Sequence, residues 1–269
     1  MLSILVPIDF SENSLVALKF AKSMLNDQKG ELILLHVIEL ENHREFTSEN
    51  LGADHLLQLW SGTVGAPLKT YLREGPIAET ILKTANEVAA SMIVMGTKGA
   101  KSNYDRFIGS NASRVATNSE IPVLVIPQSI TYRQISKIVI GVDPNLEYEQ
   151  SVAWLSESLL QDVHDVSLFS AGSPSIEEDM VHYQKRLAGI IHEHAPKCRV
   201  NGKVLATVDT LSSLDGFVRD LDADLLVLTT HHRGVFERIF DPGMTKKLTL
   251  KAEIPILAIP MRKVPVYLF

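Results

Sequence analysis

The sequence predicts an α/β protein made of two tandem doubly wound domains, each a five-stranded parallel sheet flanked by helices. Two observations support this prediction: short apolar runs alternate with longer amphipathic runs, and the second half of the chain repeats the first. Alternating strands and helices are typical of parallel sheets with right-handed crossovers. At 269 residues, the chain is also longer than one typical domain.

An internal repeat organises the chain. Residues 120–127 (EIPVLVIP) return as residues 253–260 (EIPILAIP), an offset of 133 positions. Residues 92–95 correspond to 225–228 at the same offset, and residues 4–9 correspond to 138–143 one position further. The repeat predicts two domains, residues 1–131 and 132–269, joined near residues 129–132. Because the period is too long for a solenoid unit, each copy is expected to have its own core.

In the first copy, five runs rich in Val, Ile and Leu indicate strands that are covered on both faces. These runs span residues 4–8, 31–38, 68–72, 92–95 and 123–126. Helices are predicted after the capping segment 11–14, over 49–60, after Gly75-Pro76 and over 112–116, with a long one between 175 and 194 in the second copy. The inner face of the helix after Gly75-Pro76 is predicted to carry Ile77, Ile81, Ala85 and Val88.

The composition excludes several kinds of partner. A net charge of −6 and a pI near 5.9 argue against nucleic acid and against an anionic membrane surface. No apolar run approaches the roughly 18 residues that span a bilayer, and Asp9 comes too early for a signal peptide. Cys198 is the single cysteine, so no internal disulfide or cysteine metal cluster can form. The expected compartment is a reducing cytoplasm.

Two small-residue segments predict a phosphate-binding site. Met95-Gly96-Thr97-Lys98-Gly99 follows an apolar strand, and Gly109-Ser110-Asn111 opens a helical segment. Glycines allow the backbone to approach a ligand closely, and a helix start presents unpaired N–H groups and the positive end of its dipole. The alternative is a pair of turns without a ligand. Both segments are expected at the carboxyl edge of one sheet, where open parallel sheets bind ligands.

The first strand should end at the same edge, because strands one and four usually flank the position where the strand order reverses. Asp9 could then accept a hydrogen bond from a ribose hydroxyl or an adenine amino group, or it could cap the following helix. Val37 would form an apolar wall for a base, or belong to the core. Lys98, Lys101 and Arg106 could meet phosphate charge, or be solvated.

The pattern Gly96-x2-Gly99-x9-Gly109-Ser110 resembles the ATP-binding signature of universal stress proteins, as do residues 4–11 and the strand containing His36-Val37. The resemblance covers the first copy and, more weakly, the second. It implies the adenine nucleotide alpha hydrolase-like fold and a cytoplasmic protein that responds to stress and binds ATP, alone or with Mg²⁺. It implies that Asp9 and Val37 contact the adenosine half, and that Gly96, Gly99, Gly109 and Ser110 hold the phosphates. Asn111 departs from the family pattern, in which a Val or a small residue is commoner. The complete predicted nucleotide-binding set is Pro7, Asp9, Val37, Met95, Gly96, Lys98, Gly99, Gly109, Ser110 and Asn111.

The second copy departs from this signature. Thr229-Thr230-His231-His232-Arg233-Gly234 and Asp241-Pro242-Gly243-Met244 replace the two glycine segments. Pro242 removes an N–H donor and Asp241 adds negative charge, so the second copy is not expected to bind ATP in the same way. It keeps Asp143, which leaves a remnant pocket for a smaller or uncharged ligand open. Neither the pair His231 and His232 nor the pair His192 and His194 is predicted to bind a metal.

Three functions remain open. The first is a nucleotide-binding stress module with at most slow hydrolysis. The second is an ATP-consuming enzyme of a related fold, but the sequence lacks a Walker loop, a nucleophile elbow and a clear second acid for magnesium. The third is a dimerisation scaffold with a vestigial site. No catalytic residue is predicted. The resemblance also implies that the two copies pair as an intramolecular pseudo-dimer, and a homodimer is the further alternative.

Overall fold

The computed structural model describes residues 2–25, 30–39, 60, 62, 68–97, 108–130, 132–142, 148–172, 177–207, 209–230, 239 and 254–260. The chain divides into two compact units. The first unit contains Met1–Gln134 and Ile239–Leu257, and the second contains Ile135–Arg238 and Ala258–Phe269. The domain limits 1–131 and 132–269 remain a prediction, and the contact division differs from them in placing residues 132–134 and 239–257 with the first unit.

The first unit is a five-stranded parallel sheet with helices between its strands. Its elements are β1 (Leu2–Ile8), α1 (Glu12–Leu25), β2 (Gly30–Ile38), β3 (Leu68–Glu74), α2 (Ile77–Glu87), β4 (Met92–Gly96), α3 (Ser110–Asn118) and β5 (Val123–Ile126). The strand order is β3-β2-β1-β4-β5, and every pairing is parallel. The order therefore reverses between β1 and β4, as expected for a doubly wound sheet.

The second unit has the same plan. Its elements are β6 (Lys137–Gly141), α4 (Glu149–Ser158), β7 (Asp165–Gly172), α5 (Glu177–His194), β8 (Arg199–Ala206), α6 (Thr210–Asp220), β9 (Leu225–Thr229) and β10 (Ile256–Ile259), whose first two residues the contact division places with the first unit. The order β8-β7-β6-β9 is parallel, and β10 lies beside β9. The predicted fold class, two tandem doubly wound α/β domains, is confirmed.

The sequence repeat appears as matching hydrogen bonds. The N–H of Thr97 donates to Ile126 O at 3.0 Å in the first unit, and the N–H of Thr230 donates to Ile259 O at 3.0 Å in the second. Both partners are offset by 133 positions. The helix before the fourth strand also ends alike, because Ala89 (φ 50°) and Asp222 (φ 48°) both adopt the left-handed conformation.

The apolar runs form the core because they are strands covered on both faces. The central part of β1, all of β5 and most of β4 are buried. The predicted strands agree with the observed ones within two residues at each end. In α2, Ile81 and Ala85 face the core as predicted, but Val88 lies just beyond the end of the helix. The helix predicted over 49–60 lies outside the described residues except for Trp60, which is helical.

None of the helices in the described part of the chain combines the length and apolarity needed to cross a membrane. The same part contains no group of three or more His, Cys, Asp or Glu side chains that could hold a metal ion. His192 Nδ1 lies 2.9 Å from Ala188 O, and His194 Nδ1 lies 3.4 Å from a carboxylate oxygen of Glu157. His231 and His232 fall outside the described residues.

The left-handed conformation of Ala89 gives a test of the fold. A residue with a Cβ loses about 1–2 kcal/mol of stability in this region. Replacement by glycine removes that cost but raises the conformational entropy of the unfolded chain, which offsets part of the stabilisation. Ala89→Gly is therefore expected to stabilise the protein by about 0.5–1 kcal/mol in urea unfolding. The control Ala188→Gly, within α5, should instead destabilise it by about 1 kcal/mol. Destabilisation by both substitutions would contradict the conformation of Ala89.

Candidate functional site

The strands of the first unit separate at the carboxyl edge of the sheet. The β1–β2 pairing continues to Ile8↔His36, and the β4–β5 pairing continues to Gly96↔Ile126. The β1–β4 pairing contains only Ile4↔Met92 and Leu5↔Ile93, although both strands are described to their ends. Pro7, two residues further along β1, has no N–H to donate to a neighbouring strand. The edge where the strand order reverses is therefore open between β1 and β4.

A tight turn leads from β1 into α1. Asp9 Oδ1 accepts hydrogen bonds from the N–H of Ser11 (3.1 Å) and from Ser11 Oγ (2.5 Å). Ser11 Oγ in turn accepts from the N–H of Ser14 at 3.2 Å, so Ser11 caps α1 as predicted. Asp9 thus supports the start of α1 indirectly, by accepting hydrogen bonds from the capping residue Ser11. This is a modified form of the alternative in which Asp9 caps the helix. Its half-buried carboxylate remains at the edge where the strands separate.

Phe10, between these residues, adopts a left-handed conformation with φ 60°. This conformation is unusual for a bulky residue, and such positions cluster at functional sites. The ring of Phe10 lies 4.6 Å from that of His36 and 5.5 Å, edge to face, from that of Trp60. His36 Nδ1 lies 2.7 Å from Ile8 O. Because a carbonyl oxygen only accepts hydrogen bonds, Nδ1 is the protonated nitrogen and donates this hydrogen bond. The half-buried Val37 follows His36 on β2 and therefore points to the opposite face of the sheet.

The end of β4 packs against the start of α1. Met95 is buried and lies opposite Val125 in the β4–β5 register. A Cβ added to Gly96 would lie 2.7 Å from both Cγ and Nδ2 of Asn13 and 3.0 Å from the main-chain carbonyl oxygen of Asn13. That Gly96 allows the close approach of a ligand stays a prediction. Within the protein, Asn13 approaches this glycine closely.

The start of α3 lies next to the end of β4. The N–H of Gly109 donates to Thr97 O, so this amide is used within the protein. Gly109 precedes α3 with extended backbone (φ −63°, ψ 156°) and, as a glycine, has no side chain to cap the helix. Within α3, the first N–H with an acceptor among the described residues is that of Ser113, which donates to Gly109 O at 2.9 Å. The helix therefore begins with Ser110, which is exposed, and Asn111, which is half-buried. Gly109 supplies no side-chain cap for their N–H groups.

The structure thus brings eight of the ten predicted residues to the carboxyl ends of β1, β2 and β4 and the start of α3. These are Pro7, Asp9, Val37, Met95, Gly96, Gly109, Ser110 and Asn111. The amide of Gly109 already donates to Thr97 O. Lys98 and Gly99 fall outside the described residues, as do Lys101 and Arg106. Whether any of these residues binds a nucleotide remains a prediction.

Asn13 and Thr97 lie at this edge and were not predicted from the sequence as site residues. Asn13 is 3% exposed, and its Nδ2 donates to Thr97 Oγ1 at 3.4 Å; Thr97 is 5% exposed. A signal for Asn13 was present, because it lies four residues before Ala17 and therefore on the buried face of α1. A polar residue at such a position usually has a polar partner. Nothing in the sequence identified that partner as Thr97, which is 84 residues away.

The second unit fills the corresponding position with side chains. Thr229 ends β9 where Gly96 ends β4, and its Oγ1 lies 3.1 Å from the hydroxyl of Tyr148. Tyr148 is 2% exposed and Thr229 is 7% exposed. The hydroxyl of Tyr183 accepts from the N–H of Tyr148 at 2.8 Å, and burial raises the pKa of Tyr183. The predicted remnant residue Asp143 and the segments 231–234 and 241–244 fall outside the described residues.

Comparison with known proteins identifies the family. The sequence model of the universal stress protein family matches residues 1–127. A universal stress protein of Synechocystis sp. is 32% identical over 133 residues, which cover 46% of this chain and 85% of that protein. A universal stress protein of Methanocaldococcus jannaschii is 32% identical over 137 residues, which cover 46% and 80%. The chain belongs to the universal stress protein family.

One solved structure extends the likeness beyond the first half. A universal stress protein from Archaeoglobus fulgidus aligns with a TM-score of 0.69 and covers 96% of this chain and 96% of its own. Its sequence is 14% identical, so the likeness shows the fold alone.

The contact between Gly96 and Asn13 gives a test that requires no ligand. Gly96→Ala should destabilise the protein by about 1–3 kcal/mol in urea unfolding, because the new methyl group overlaps Asn13. The control Gly189→Ala, in α5, places its methyl group where nothing lies within 4 Å and should stabilise by up to about 1 kcal/mol. An unchanged midpoint for Gly96→Ala would contradict the tight contact.

Proposed function

We propose that the first unit binds ATP or a related adenine nucleotide at the edge where β1 and β4 separate, as part of a stress response in the cytoplasm. The observation that carries this proposal is the start of α3. Its first residue, Ser110, is exposed, the residue before it is a glycine without a capping side chain, and it lies beside the reversal of the strand order. A helix start of this kind favours a phosphate group through its amides and its dipole.

The phosphate end of the site is assigned to Ser110 and Asn111. Ser110 offers a hydroxyl and an amide at the first position of α3, and Asn111 offers the next amide. Gly109 contributes through its conformation, because its amide already donates to Thr97 O. Gly99, on the resemblance of the glycine pattern, and Lys98, through its positive charge, complete the proposed phosphate contacts, with ATP bound alone or with Mg²⁺.

The adenosine end is assigned to the ends of β1, β2 and β4. Asp9 follows β1 and carries a carboxylate that accepts hydrogen bonds. One of its oxygens is oriented by Ser11, which fixes the direction of the carboxylate. Pro7 and Val37 supply apolar surface, since both are half-buried, and Met95 supplies the buried floor between them and β5.

The second unit is proposed not to bind ATP in this way. The bulky pair Tyr148 and Thr229 lies where the first unit has a glycine at the end of its fourth strand. Glu149 is adjacent and pairs with Arg186, whose guanidinium lies 4.9 Å from the centre of the Tyr183 ring. This edge is filled by a hydrogen-bonded cluster of its own side chains. A binding stoichiometry of about one nucleotide per chain follows.

Binding with at most slow hydrolysis is the form of the proposal that these residues favour. Fast phosphoryl transfer requires a positioned group that orients the attacking nucleophile and groups that stabilise the transferred phosphoryl. No described residue is assigned such a role. Turnover is therefore expected far below the roughly 1–10³ per second of committed enzymes. Rapid turnover would favour the ATP-consuming enzyme instead.

Two substitutions at Ser110 test the phosphate end. Ser110→Ala removes the hydroxyl, whereas Ser110→Pro also removes the amide hydrogen. Proline suits the first position of a helix, and the extended backbone of Gly109 accepts a following proline. Titration calorimetry with ATP should show affinity about three- to tenfold weaker for Ser110→Ala and at least about tenfold weaker again for Ser110→Pro.

The urea midpoint of both variants should remain close to that of the wild type. Equal affinity for ATP in Ser110→Pro and the wild type would place the phosphate elsewhere. No binding of ATP, AMP or a cyclic nucleotide by the wild type, with and without Mg²⁺, would favour the scaffold with a vestigial site.

A further inference from the structure

The side chain of Asn13 connects the start of α1 to the end of β4. Asn13 is the second residue of α1, and helical side chains lean towards the helix N-terminus, here towards the carboxyl edge of the sheet. Its carboxamide covers Gly96, where an added Cβ would lie 2.7 Å from Cγ and Nδ2. Its Nδ2 donates to Thr97 Oγ1 at 3.4 Å. One buried side chain therefore contacts the last residue of β4 and the residue after it.

Thr97 is held from three directions. Its N–H donates to Ile126 O at 3.0 Å, its Oγ1 accepts from Asn13, and its carbonyl oxygen accepts from the N–H of Gly109. Thr97 is the last described residue before 98–107, and Gly109 precedes α3 directly. The bond between Thr97 and Gly109 therefore joins the end of β4 to the start of α3.

We propose that Asn13 is a positioning residue for phosphate binding. By holding Thr97, it fixes the Thr97–Gly109 bond and with it the direction of the first amides of α3. This inference rests on the proposed nucleotide function of the first unit.

The chemistry of asparagine suits this task. The carboxamide is flat enough to lie over a glycine and carries a donor for the Thr97 hydroxyl. Leucine has a similar branched shape and would keep the packing but lose the donor. Aspartate would lose the donor and bring a negative charge towards the proposed phosphate.

The substitution Asn13→Leu separates positioning from packing through two ligands. Affinity for ATP should fall about three- to tenfold, the effect of one lost hydrogen bond. Affinity for adenosine, which has no phosphate, should not change, and a value within about twofold of the wild type counts as unchanged. The matched control is Ser156→Ala in the second unit, which removes a buried hydrogen bond to Val152 O and should change neither affinity. Equal losses for ATP and adenosine would overturn the proposal.

A second variant changes Thr97, the other partner of the Asn13–Thr97 hydrogen bond. Thr97→Val removes the hydroxyl with little change in shape and should reproduce the selective loss of ATP affinity. Because both substitutions break one interaction, the double variant should be no weaker than the single ones by more than about twofold, whereas independent effects would multiply. Multiplying effects would contradict the coupling of Asn13 to Thr97. This variant also provides the result if Asn13→Leu does not fold.

A measurement without ligand distinguishes this inference from the proposed function. Hydrogen exchange of the Gly109 amide should be about three- to tenfold faster in Asn13→Leu than in the wild type, because the acceptor Thr97 O is less firmly held. Unchanged exchange would overturn the positioning role even if ATP binds. If the wild type binds neither ATP nor adenosine, the proposed function fails, and faster exchange would still support the role of Asn13 in holding the start of α3.

Discussion

In the first unit, β1 remains paired with β2 as far as Ile8, but its pairing with β4 ends at Leu5. The separation of these two strands determines the rest of the site. It places the turn of Asp9 on one side and the end of β4 on the other. The start of α3 then faces this edge, and the residue before it, Gly109, has no side chain to cap its first amides. The proposed nucleotide site follows from this separation and from the small volume of Gly96.

The two units show how one fold supports different chemistry at the same edge. Both units have the same strand order. Both also have a hydrogen bond from the residue after the fourth strand to the end of the fifth strand, and a residue in the left-handed conformation before the fourth strand. The difference lies in volume and polarity. Glycine leaves space that Asn13 enters in the first unit, whereas Thr229 and Tyr148 form a buried hydroxyl pair in the second. The shared fold therefore does not by itself imply shared binding.

Much of the fold could be predicted because apolar runs are local signals and the internal repeat can be read directly from the sequence. Residues 120–127 and 253–260 agree at six of eight positions, and a strand covered on both faces gives a continuous apolar run. The site was harder to predict. A glycine is visible in a sequence, but the atom that approaches it is not, so the contact between Gly96 and Asn13 could not be predicted. The occupied amide of Gly109 and the role of Thr97 likewise depend on contacts across long stretches of chain.

The most direct test of the central claim is an NMR titration of the ¹⁵N-labelled full chain with ATP and Mg²⁺. The account predicts that the amides of Ser110 and Asn111 shift first and most strongly, with smaller changes around Asp9 and Val37. The amides around Thr229 and Tyr148 in the second unit should stay unchanged. Shifts confined to the second unit, or no shifts at Ser110 and Asn111 under saturating ATP, would contradict it.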